Sequence, residues 1–456
     1  MGLYNDMTNV KADRIFINGR IYTQDKNLPW ADAVACKYGE IIAVGKYSQM
    51  KNLEDEYTEI TDLDNKFMFP GFIDAHSSTV LSVFNNTYTV LDPAWDCDTV
   101  IGEVADCCYD NYDDDLVFAY GFSNSILKDY ETEEKQCQLL DEIETECPVL
   151  LLGADGMTMM YNSICRNRIR SVFAREDISQ ISPAAIIKAL GIFDEEELTA
   201  NFEEEMERLT DKGFTTIFNY GSPHCFNQIY MDLFSDREGD IEKMNQNFFS
   251  SLYINHPVSS EKLDQLTEKK MNTLKIMASE DTFSQEELSY LCLMGAEKGF
   301  HLHVDALDEK SLYNVYSAFQ LVREHGFTEN RLVIASDLKA GEEVRAEFSF
   351  SPDFILTFAS DTLNNSVFSH CANVHQALDE LTVKAAELTG MSHERGTIEK
   401  GKKADFTVFQ EDIFKSGLKT FSRLHCDMIV VDGEILYDVD EENFDEMVNL
   451  LMNMQM

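Results

Sequence analysis

Apolar and polar residues alternate at both ends of the chain, in short runs separated by turn residues. The first end contains ADRIFINGRIYTQD and DAVACKYGEIIAVGK, with turns predicted at Asn18-Gly19 and Gly39-Glu40. The other end contains GTIEKGKKADFTVFQ and DMIVVDGEILYD, with a turn at Asp432-Gly433. A period of two is typical of half-buried strands, and these turn residues are typical of hairpins. We therefore predict one small, sandwich-like β domain built from residues 1–69 and 395–456.

The middle of the chain has a different pattern, in which short apolar runs are separated by stretches long enough for amphipathic helices. We interpret eight of these runs as strands: FIDAH (72–76), TTIFNY (215–220), FFSSLYI (248–254), TLKIMAS (273–279), FHLHVD (300–305), RLVIAS (331–336), EFSFS (347–351) and ILTFAS (355–360). Eight strands that alternate with helices favour an α/β fold, a (β/α)8 TIM-like barrel over residues 70–394. Two further runs, LVFAYGFS and VLLLGAD, predict an inserted subdomain at about 81–212.

Composition and charge narrow the set of partners. The 456 residues are 44% hydrophobic, which predicts a globular chain, and 37 Lys+Arg against 82 Asp+Glu give a net charge of −45. Such a surface repels phosphate backbones and anionic lipid headgroups, so we expect no nucleic-acid and no membrane partner. The expected partner is a small-molecule substrate or ligand, and the sequence is compatible with a homo-oligomer.

The eleven cysteines are scattered, without a Cys-x-x-Cys pair, and no apolar run approaches 18 residues. A leader of charged and then apolar residues is also missing from the first residues. These features predict a cytoplasmic protein with reduced thiols.

Four predicted strand ends carry groups that could form a metal site: His76, Lys275, His303 and Asp361. A parallel barrel brings such residues together although they are distant in sequence. Two imidazoles and a carboxylate could hold one divalent ion, zinc before others, but the lysine would repel it unless carboxylated. Each residue also has a structural interpretation, since strand-end histidines are often simply hydrogen-bonded, lysines extend to solvent and aspartates cap turns.

Recognisable motifs occur along nearly the whole chain, from about Ala12 to Tyr437: PGFIDAH, CPVLLLGADGMTMMYNS, HLHVDA and GTIEKGKKADFTVF. Together they resemble the amidohydrolase superfamily, and within it the family 3 branch related to N-substituted formamide deformylase. The resemblance implies a hydrolase of non-peptide C–N bonds, of amide or formamide type, that uses metal-activated water.

The resemblance also implies roles for individual residues. His76 matches the first histidine of the strand-1 pair, Lys275 the bridging lysine of strand 4, and His303 the histidine of strand 5. Asp361 matches the strand-8 aspartate, which both binds metal and transfers protons in catalysis. Asp155 and the other residues that would line the substrate pocket come partly from the inserted region: Ser78, Asp155, Met157, Asn162 and Ile334.

Three of the pocket residues stand where the family has histidine. Ser78 replaces the second histidine of strand 1, Ile334 the strand-6 histidine, and Met157 a pocket histidine. Alkyl and thioether groups do not bind hard cations, and each of the two family metal sites loses one ligand, so we expect at most one metal ion or none. Two hypotheses follow: a weakened one-metal hydrolase, or a non-catalytic homologue that binds a small molecule or partner in the old pocket.

Overall fold

The computed structural model describes residues 10–110, 115–130, 132–143, 145–175, 177–179, 181–220, 225–226, 229, 247–254, 257–260, 263, 273–280, 282–336, 355–357 and 371–439. All of the following observations concern these residues. The predicted strand EFSFS and the end of ILTFAS lie outside them.

The N-terminal part forms seven strands in two sheets. The strands are β1 Arg14–Ile17, β2 Arg20–Tyr22, β3 Trp30–Ala31, β4 Ala33–Lys37, β5 Glu40–Gly45, β6 Glu59–Asp62 and β7 Phe67–Pro70, with short 3-10 helices at Tyr47–Gln49 and Lys51–Leu53. The first sheet has the order β5-β4-β1-β6. The strands β2, β3 and β7 join a second sheet instead.

The second sheet combines strands from both ends of the chain. Its C-terminal members are β20 Phe406–Phe409, β21 Met428–Val431 and β22 Glu434–Asp438. The full order is β22-β21-β20-β7-β2-β3, and β20 pairs antiparallel with β7. Apolar residues of both sheets, including Phe16, Val34, Met68 and Phe406, belong to one buried cluster.

The turns explain part of this arrangement and correct one prediction. Asp432 and Gly433 both have positive φ, 47° and 82°, as a tight two-residue hairpin turn between β21 and β22 requires. Between β4 and β5 the turn residues are Tyr38 and Gly39, one position earlier than predicted. The hairpin predicted at Asn18-Gly19 is wrong, because β1 and β2 on either side of it enter different sheets.

The middle of the chain supplies parallel strands in chain order. They are β8 Phe72–Ser77, β13 Phe214–Asn219, β14 Asn247–Ser250, β15 Leu252–Ile254, β16 Thr273–Ala278, β17 His301–Ala306, β18 Leu332–Ala335 and β19 Ile355–Thr357. One sheet has the order β14-β13-β8 and the other β15-β16-β17-β18-β19. Only Ser251 separates β14 from β15, so the chain passes directly from one sheet to the other.

The five-stranded sheet has two distinct faces. On one face, Leu274, Ile276, Leu302 and Val304 belong to an apolar cluster with residues of the helices Gln285–Glu297 and Glu309–Glu324. Side chains alternate along a strand, so Lys275, His303 and Asp305 lie on the opposite face. The helices therefore cover one face, and the charged groups are on the other.

The region between β8 and β13 folds around its own sheet, of order β12-β11-β10-β9. These strands are β9 Thr89–Val90, β10 Val117–Phe122, β11 Val149–Gly153 and β12 Met159–Tyr161. The helices of this region are Thr79–Thr87, Cys97–Asp110, Glu133–Asp141, Ser163–Phe173, Pro183–Ala189 and Glu195–Asp211, with a 3-10 helix at Asn124–Leu127. The two extra apolar runs of the sequence are thus the neighbouring parallel strands β10 and β11.

In the described part of the chain, further helices follow β19: Val374–Leu381, Val383–Thr389, Ile413–Ser416 and Leu418–Phe421. All eleven cysteines are free thiols. No helix in the described part of the chain combines the length and apolarity needed to cross a membrane.

Candidate functional site

Two neighbouring strands bring a lysine, a histidine and an aspartate together. Lys275 on β16 is in register with His303 on β17, and Asp305 follows two residues later on the same face. The Nζ of Lys275 lies 2.6 Å from Oδ1 of Asp305, and His303 Nε2 lies 3.7 Å from the same oxygen. All three residues are buried, with 2%, 1% and 7% of their surface exposed, respectively. The pair is therefore a buried ion pair next to an imidazole.

His76 reaches the same place from β8. Its ring centroid lies 4.7 Å from that of His303, with the two rings nearly perpendicular. Tyr220, one residue past β13, lies 4.7 Å from the His303 ring by the same measure, and Lys275 Nζ lies 5.6 Å from the centre of the Tyr220 ring. The structure thus assembles His76, Lys275 and His303, three of the four residues predicted to form the site.

The contact between the two histidines requires strong curvature of the sheets. Three strand positions, β13, β14/β15 and β16, lie between β8 and β17. In a flat sheet, four spacings of about 4.8 Å would separate these strands by roughly 19 Å. Ring centroids only 4.7 Å apart therefore mean that β8 and β17 face each other across a concave surface.

Burial controls the charge of these groups. It lowers the pKa of His76 and of His303 well below the usual range, and Lys275 lowers both further. Burial also lowers the pKa of Lys275, which Asp305 opposes, and raises the pKa of Asp305, which Lys275 opposes. Both imidazoles are consequently neutral at pH 7, and each offers one hydrogen-bond donor and one acceptor.

These imidazole atoms have no partner within the described residues. Nε2 of His76 and both ring nitrogens of His303 are buried without a hydrogen bond there. Buried polar groups nearly always have a partner, and an unpaired one costs about 1–3 kcal/mol. The site therefore presents three nitrogens that a ligand could bind.

Ser78 and Ile334, which the resemblance matches to histidines, lie in different surroundings. Ser78 follows β8 directly and is the N-cap residue of the helix Thr79–Thr87, although its side chain makes no capping hydrogen bond. Ile334 is in register with Val304 and belongs to the cluster on the helix-covered face. Val333 is instead in register with His303. Ile334, predicted to line the pocket, therefore lies on the face opposite His303, and Val333 lies on the His303 face, because a shift of one residue reverses the face of a strand.

Two of the predicted pocket residues in the inserted region, Asp155 and Asn162, make hydrogen bonds to nearby parts of that region. Asp155 accepts hydrogen bonds from Asn124, Thr158 and the backbone of Met157. Burial raises the pKa of Asp155, but these hydrogen bonds outweigh burial, and the pKa is lowered. The side chain of Met157 is 40% exposed. Asn162 caps the helix Ser163–Phe173, because its side chain accepts a hydrogen bond from Cys165 N. Its Oδ1 also accepts from Val149 N, and its Nδ2 donates to Cys147 O. Asp155 and Asn162 thus stabilise a turn and a helix end.

Asp361, the predicted catalytic residue and metal ligand, lies outside the described residues. Asp305 and Tyr220, by contrast, were not predicted from the sequence. The signal for Asp305 was present, since HLHVDA places His301, His303 and Asp305 on one face by its period of two. Tyr220 carried no such signal, because only the curvature of the sheets brings its ring to His303.

A metal ion would need more donors than the described residues provide. Zinc sites have three or four protein ligands, and no group of three His, Cys, Asp or Glu side chains in the described ranges could hold a metal. The two imidazoles have free nitrogens, but Lys275, which the resemblance matches to a bridging lysine, is paired with Asp305. The described residues therefore do not fit a two-metal centre.

Comparison with known proteins identifies the family of the whole chain. A family model described as an amidohydrolase family matches residues 59–338 and 358–437. The match covers well over half of the sequence, and the chain belongs to the amidohydrolase family.

Individual relatives are more distant. The chain is 27% identical to the protein LONG AFTER FAR-RED 3 of Arabidopsis thaliana over 155 residues, which are 34% of this chain and 26% of that protein. It is 24% identical to an exoenzymes regulatory protein of Pectobacterium carotovorum subsp. carotovorum over 169 residues, 37% of this chain and 36% of that protein. The chain thus spans about a quarter to a third of the length of these curated relatives.

A solved structure matches over most of its length. The crystal structure of an uncharacterized metal-dependent hydrolase from Pyrococcus furiosus superposes with a TM-score of 0.52 at 17% identity. The match covers 88% of this chain and 99% of that chain. At this identity the likeness shows a shared α/β fold.

Proposed function

We propose that this amidohydrolase-family protein binds a small polar molecule of amide type in the site around His303, without a two-metal centre. The observation that carries the proposal is the set of buried imidazole nitrogens of His76 and His303 that have no partner among the described residues. A ligand that bonds them would remove a desolvation cost of about 1–3 kcal/mol for each atom.

The chemistry of the imidazoles favours an amide. Neutral His76 and His303 each carry one donor and one acceptor, and an amide carries both a carbonyl acceptor and, when it has a free N–H, a donor. The family resemblance points to the same C–N compounds. Asp305 pairs with the Lys275 cation, so this lysine is not available to select an anion.

We infer a closed (β/α)8 barrel as the framework of this site. The contact of His76 with His303 across several strands supports closure, because a flat sheet would keep them far apart. The shared fold with the Pyrococcus furiosus hydrolase supports the same architecture. The composite β domain of residues 1–69 and 395–456, next to a barrel of residues 70–394, completes the proposal and is supported by the pairing of β7 with β20.

A second candidate is the hydrolysis of a non-peptide C–N bond by water activated on one divalent ion, with zinc as the first choice. The same free nitrogens of His76 and His303 favour it, because an imidazole nitrogen is a good zinc ligand. Asp361 would have to complete the donor set and is the residue to which the resemblance assigns proton transfer. The two candidates differ in metal content and in turnover.

The experiment measures both properties on the full chain purified without chelators. Elemental analysis gives the metal content, thermal shifts with N-substituted formamides and acetamides report binding, and an amine assay reports hydrolysis. We expect no stoichiometric metal, stabilisation by at least one amide, and no amine release. His303→Ala should abolish the stabilisation, whereas His325→Ala, which removes an exposed histidine, should not.

The opposite results decide between the candidates. One equivalent of metal together with amine release would replace the binding proposal by the hydrolase. A folded protein that no amide stabilises, or an effect that persists in His303→Ala, would contradict amide binding at this site.

A further inference from the structure

We propose that Asp305 prevents the carboxylation of Lys275 and thereby excludes metal ions from the site. The inference deepens the metal-free binding function proposed above and rests on it. It assigns a specific role to a residue that the family resemblance did not single out.

The position of Asp305 is the first argument. Asp305 is in register with Met277, two residues beyond Lys275 on β16, and therefore lies one layer further along the same face. Its Oδ1 is 2.6 Å from Lys275 Nζ. To carry a carboxyl group, Nζ would have to break this charge-assisted hydrogen bond.

Charge is the second argument. In carboxylation the lysine ammonium first loses a proton to water. The neutral nitrogen then attacks the carbon of CO2, the N–C bond forms, a C–O π electron pair moves to oxygen, and the nitrogen loses a second proton to water. The product is an anion. Beside the buried Asp305 carboxylate it would create two like charges in contact in a region of low dielectric, which is strongly unfavourable.

A competing role for Asp305 is that of a metal ligand. Its Oδ1 lies 3.7 Å from His303 Nε2, but the same oxygen already accepts a hydrogen bond from the lysine. An ammonium in contact with that oxygen would repel a divalent cation. No three-ligand group that includes Asp305 occurs in the described ranges, so the geometry favours exclusion of metal.

The experiment detects the carbamate directly. The full chain is incubated with ¹³C-bicarbonate, and the ¹³C NMR spectrum is examined for a lysine carbamate; Zn²⁺ is then titrated by calorimetry. We expect the wild type to show neither a carbamate nor stoichiometric zinc binding. Asp305→Asn, which removes the negative charge with little change of shape, should show one carbamate per chain and acquire zinc binding.

Matched variants identify the origin of the signal. Asp305→Asn combined with Lys275→Arg keeps a cation that does not form a stable carbamate, and should lose both effects. Asp405→Asn breaks another buried ion pair, between Arg395 Nε and Asp405 Oδ2 at 2.9 Å, and should leave the spectrum unchanged. Asp305→Ser serves as a second variant if Asp305→Asn does not fold.

Each outcome decides the inference. A carbamate on Lys275 or stoichiometric zinc in the wild type overturns it, whatever the variants do. A folded Asp305→Asn or Asp305→Ser protein without carbamate also overturns it, while the metal-free binding function would survive. A carbamate gained on removing Asp305, in a protein that no amide stabilises, would support the inference and contradict the proposed amide binding.

Discussion

The Lys275–Asp305 pair places two full charges in the interior, where removing ions from water is costly. Their attraction at 2.6 Å offsets part of that cost, but the pair needs both partners. A buried pair is weak evidence for stability, because apolar residues of similar volume often do as well. We therefore regard this pair as a determinant of the chemistry of the site more than of the stability of the fold.

Removing one charge of the Lys275–Asp305 pair should lower the free energy of unfolding far more than removing both. Asp305→Leu leaves an unpaired buried ammonium and should lower the free energy of unfolding by about 3–5 kcal/mol. Lys275→Met with Asp305→Leu should recover most of this loss, to within about 1–2 kcal/mol of the wild type. Urea denaturation measures the three values, and equal losses in the single and double variants would contradict the prediction.

The histidines of β17 predict a loss of stability in acid. Burial, and secondarily Arg331, lower the pKa of His301 to about 4, from a usual value near 6.5. Between these two pKa values the unfolded chain binds the proton more strongly than the folded chain does. The contribution of His301 to the free energy of unfolding is therefore fully present above pH 6.5 and is lost as the pH decreases towards 4. The contribution is about 1–3 kcal/mol, allowing for partial exposure of this side chain.

The variant His301→Gln should make the free energy of unfolding depend less on pH between 6.5 and 4. Glutamine does not titrate, and its oxygen can accept the hydrogen bond that the Arg331 backbone now donates to His301 Nδ1 at 3.0 Å. The dependence should decrease without vanishing, because burial lowers the pKa of His76 and His303 too. Urea titrations from pH 8 to pH 4 test it, and an unchanged slope would show that His301 does not contribute.

At the level of the strands, packing determines which residues enter the site. The junction between β7 and β8 illustrates this, because Gly71 is the single residue between them. A Cβ on Gly71 would clash with the side chain of Thr215 on β13, the strand that pairs with β8. The chain can pass from the mixed sheet into the first parallel strand only because this position has no side chain.

Two glycine-to-alanine changes test this point against each other. Gly71→Ala should destabilise the protein by about 1–3 kcal/mol through overpacking. Gly102→Ala, in the helix Cys97–Asp110 with no atom within 4 Å of the new Cβ, should stabilise it by about 0.5–1 kcal/mol. Thermal denaturation of both variants is sufficient, and equal shifts would refute the packing argument.

For the molecule as a whole, the two ends of the chain depend on each other. The strand β7 pairs with β20, and Gly71 N donates to Asp405 O at 2.8 Å. Aromatic contacts add to this link: Tyr22 of β2 lies 5.2 Å from Phe414 of the helix Ile413–Ser416, centroid to centroid. The six-stranded sheet and the apolar cluster around Met68 are therefore complete only when both ends are present.

Truncation should therefore unfold the β-rich part. A chain that ends at residue 395 lacks β20, β21 and β22, so β7 becomes an exposed edge and the cluster around Met68 loses Phe406 and Val430. We expect this fragment to aggregate, whereas a chain that ends at residue 439 keeps all described strands and should remain monodisperse. Size-exclusion chromatography compares them, and a folded, monodisperse short fragment would contradict the composite domain.

The net charge of the whole chain should make its thermal stability depend on salt. At −45, the folded protein repels itself, and this repulsion weakens as salt shortens the Debye length from about 10 Å at 0.1 M to about 3 Å at 1 M. The midpoint of thermal unfolding should therefore rise with NaCl over this range. A midpoint that falls with added salt would mean that specific ion pairs outweigh the general repulsion.

The sequence by itself determined the local elements. The short apolar runs FHLHVD and TLKIMAS predicted strands, and Asp432-Gly433 predicted a hairpin. These features depend on the conformation of a few adjacent residues, so they can be predicted without knowing what the strands pack against. The positions of His76, Lys275 and His303 in strands followed from the same local pattern.

Only the tertiary structure decided which of these residues meet. The turn at Asn18-Gly19 looked like a hairpin but leads from one sheet to another, and Val333, not Ile334, shares the face of His303. Register and sheet membership depend on hydrogen bonds to strands far away in the sequence, and a shift of one residue reverses every side chain. The Lys275–Asp305 pair and the contact of His76 with His303 likewise arise from lateral pairing and curvature, which no local segment contains.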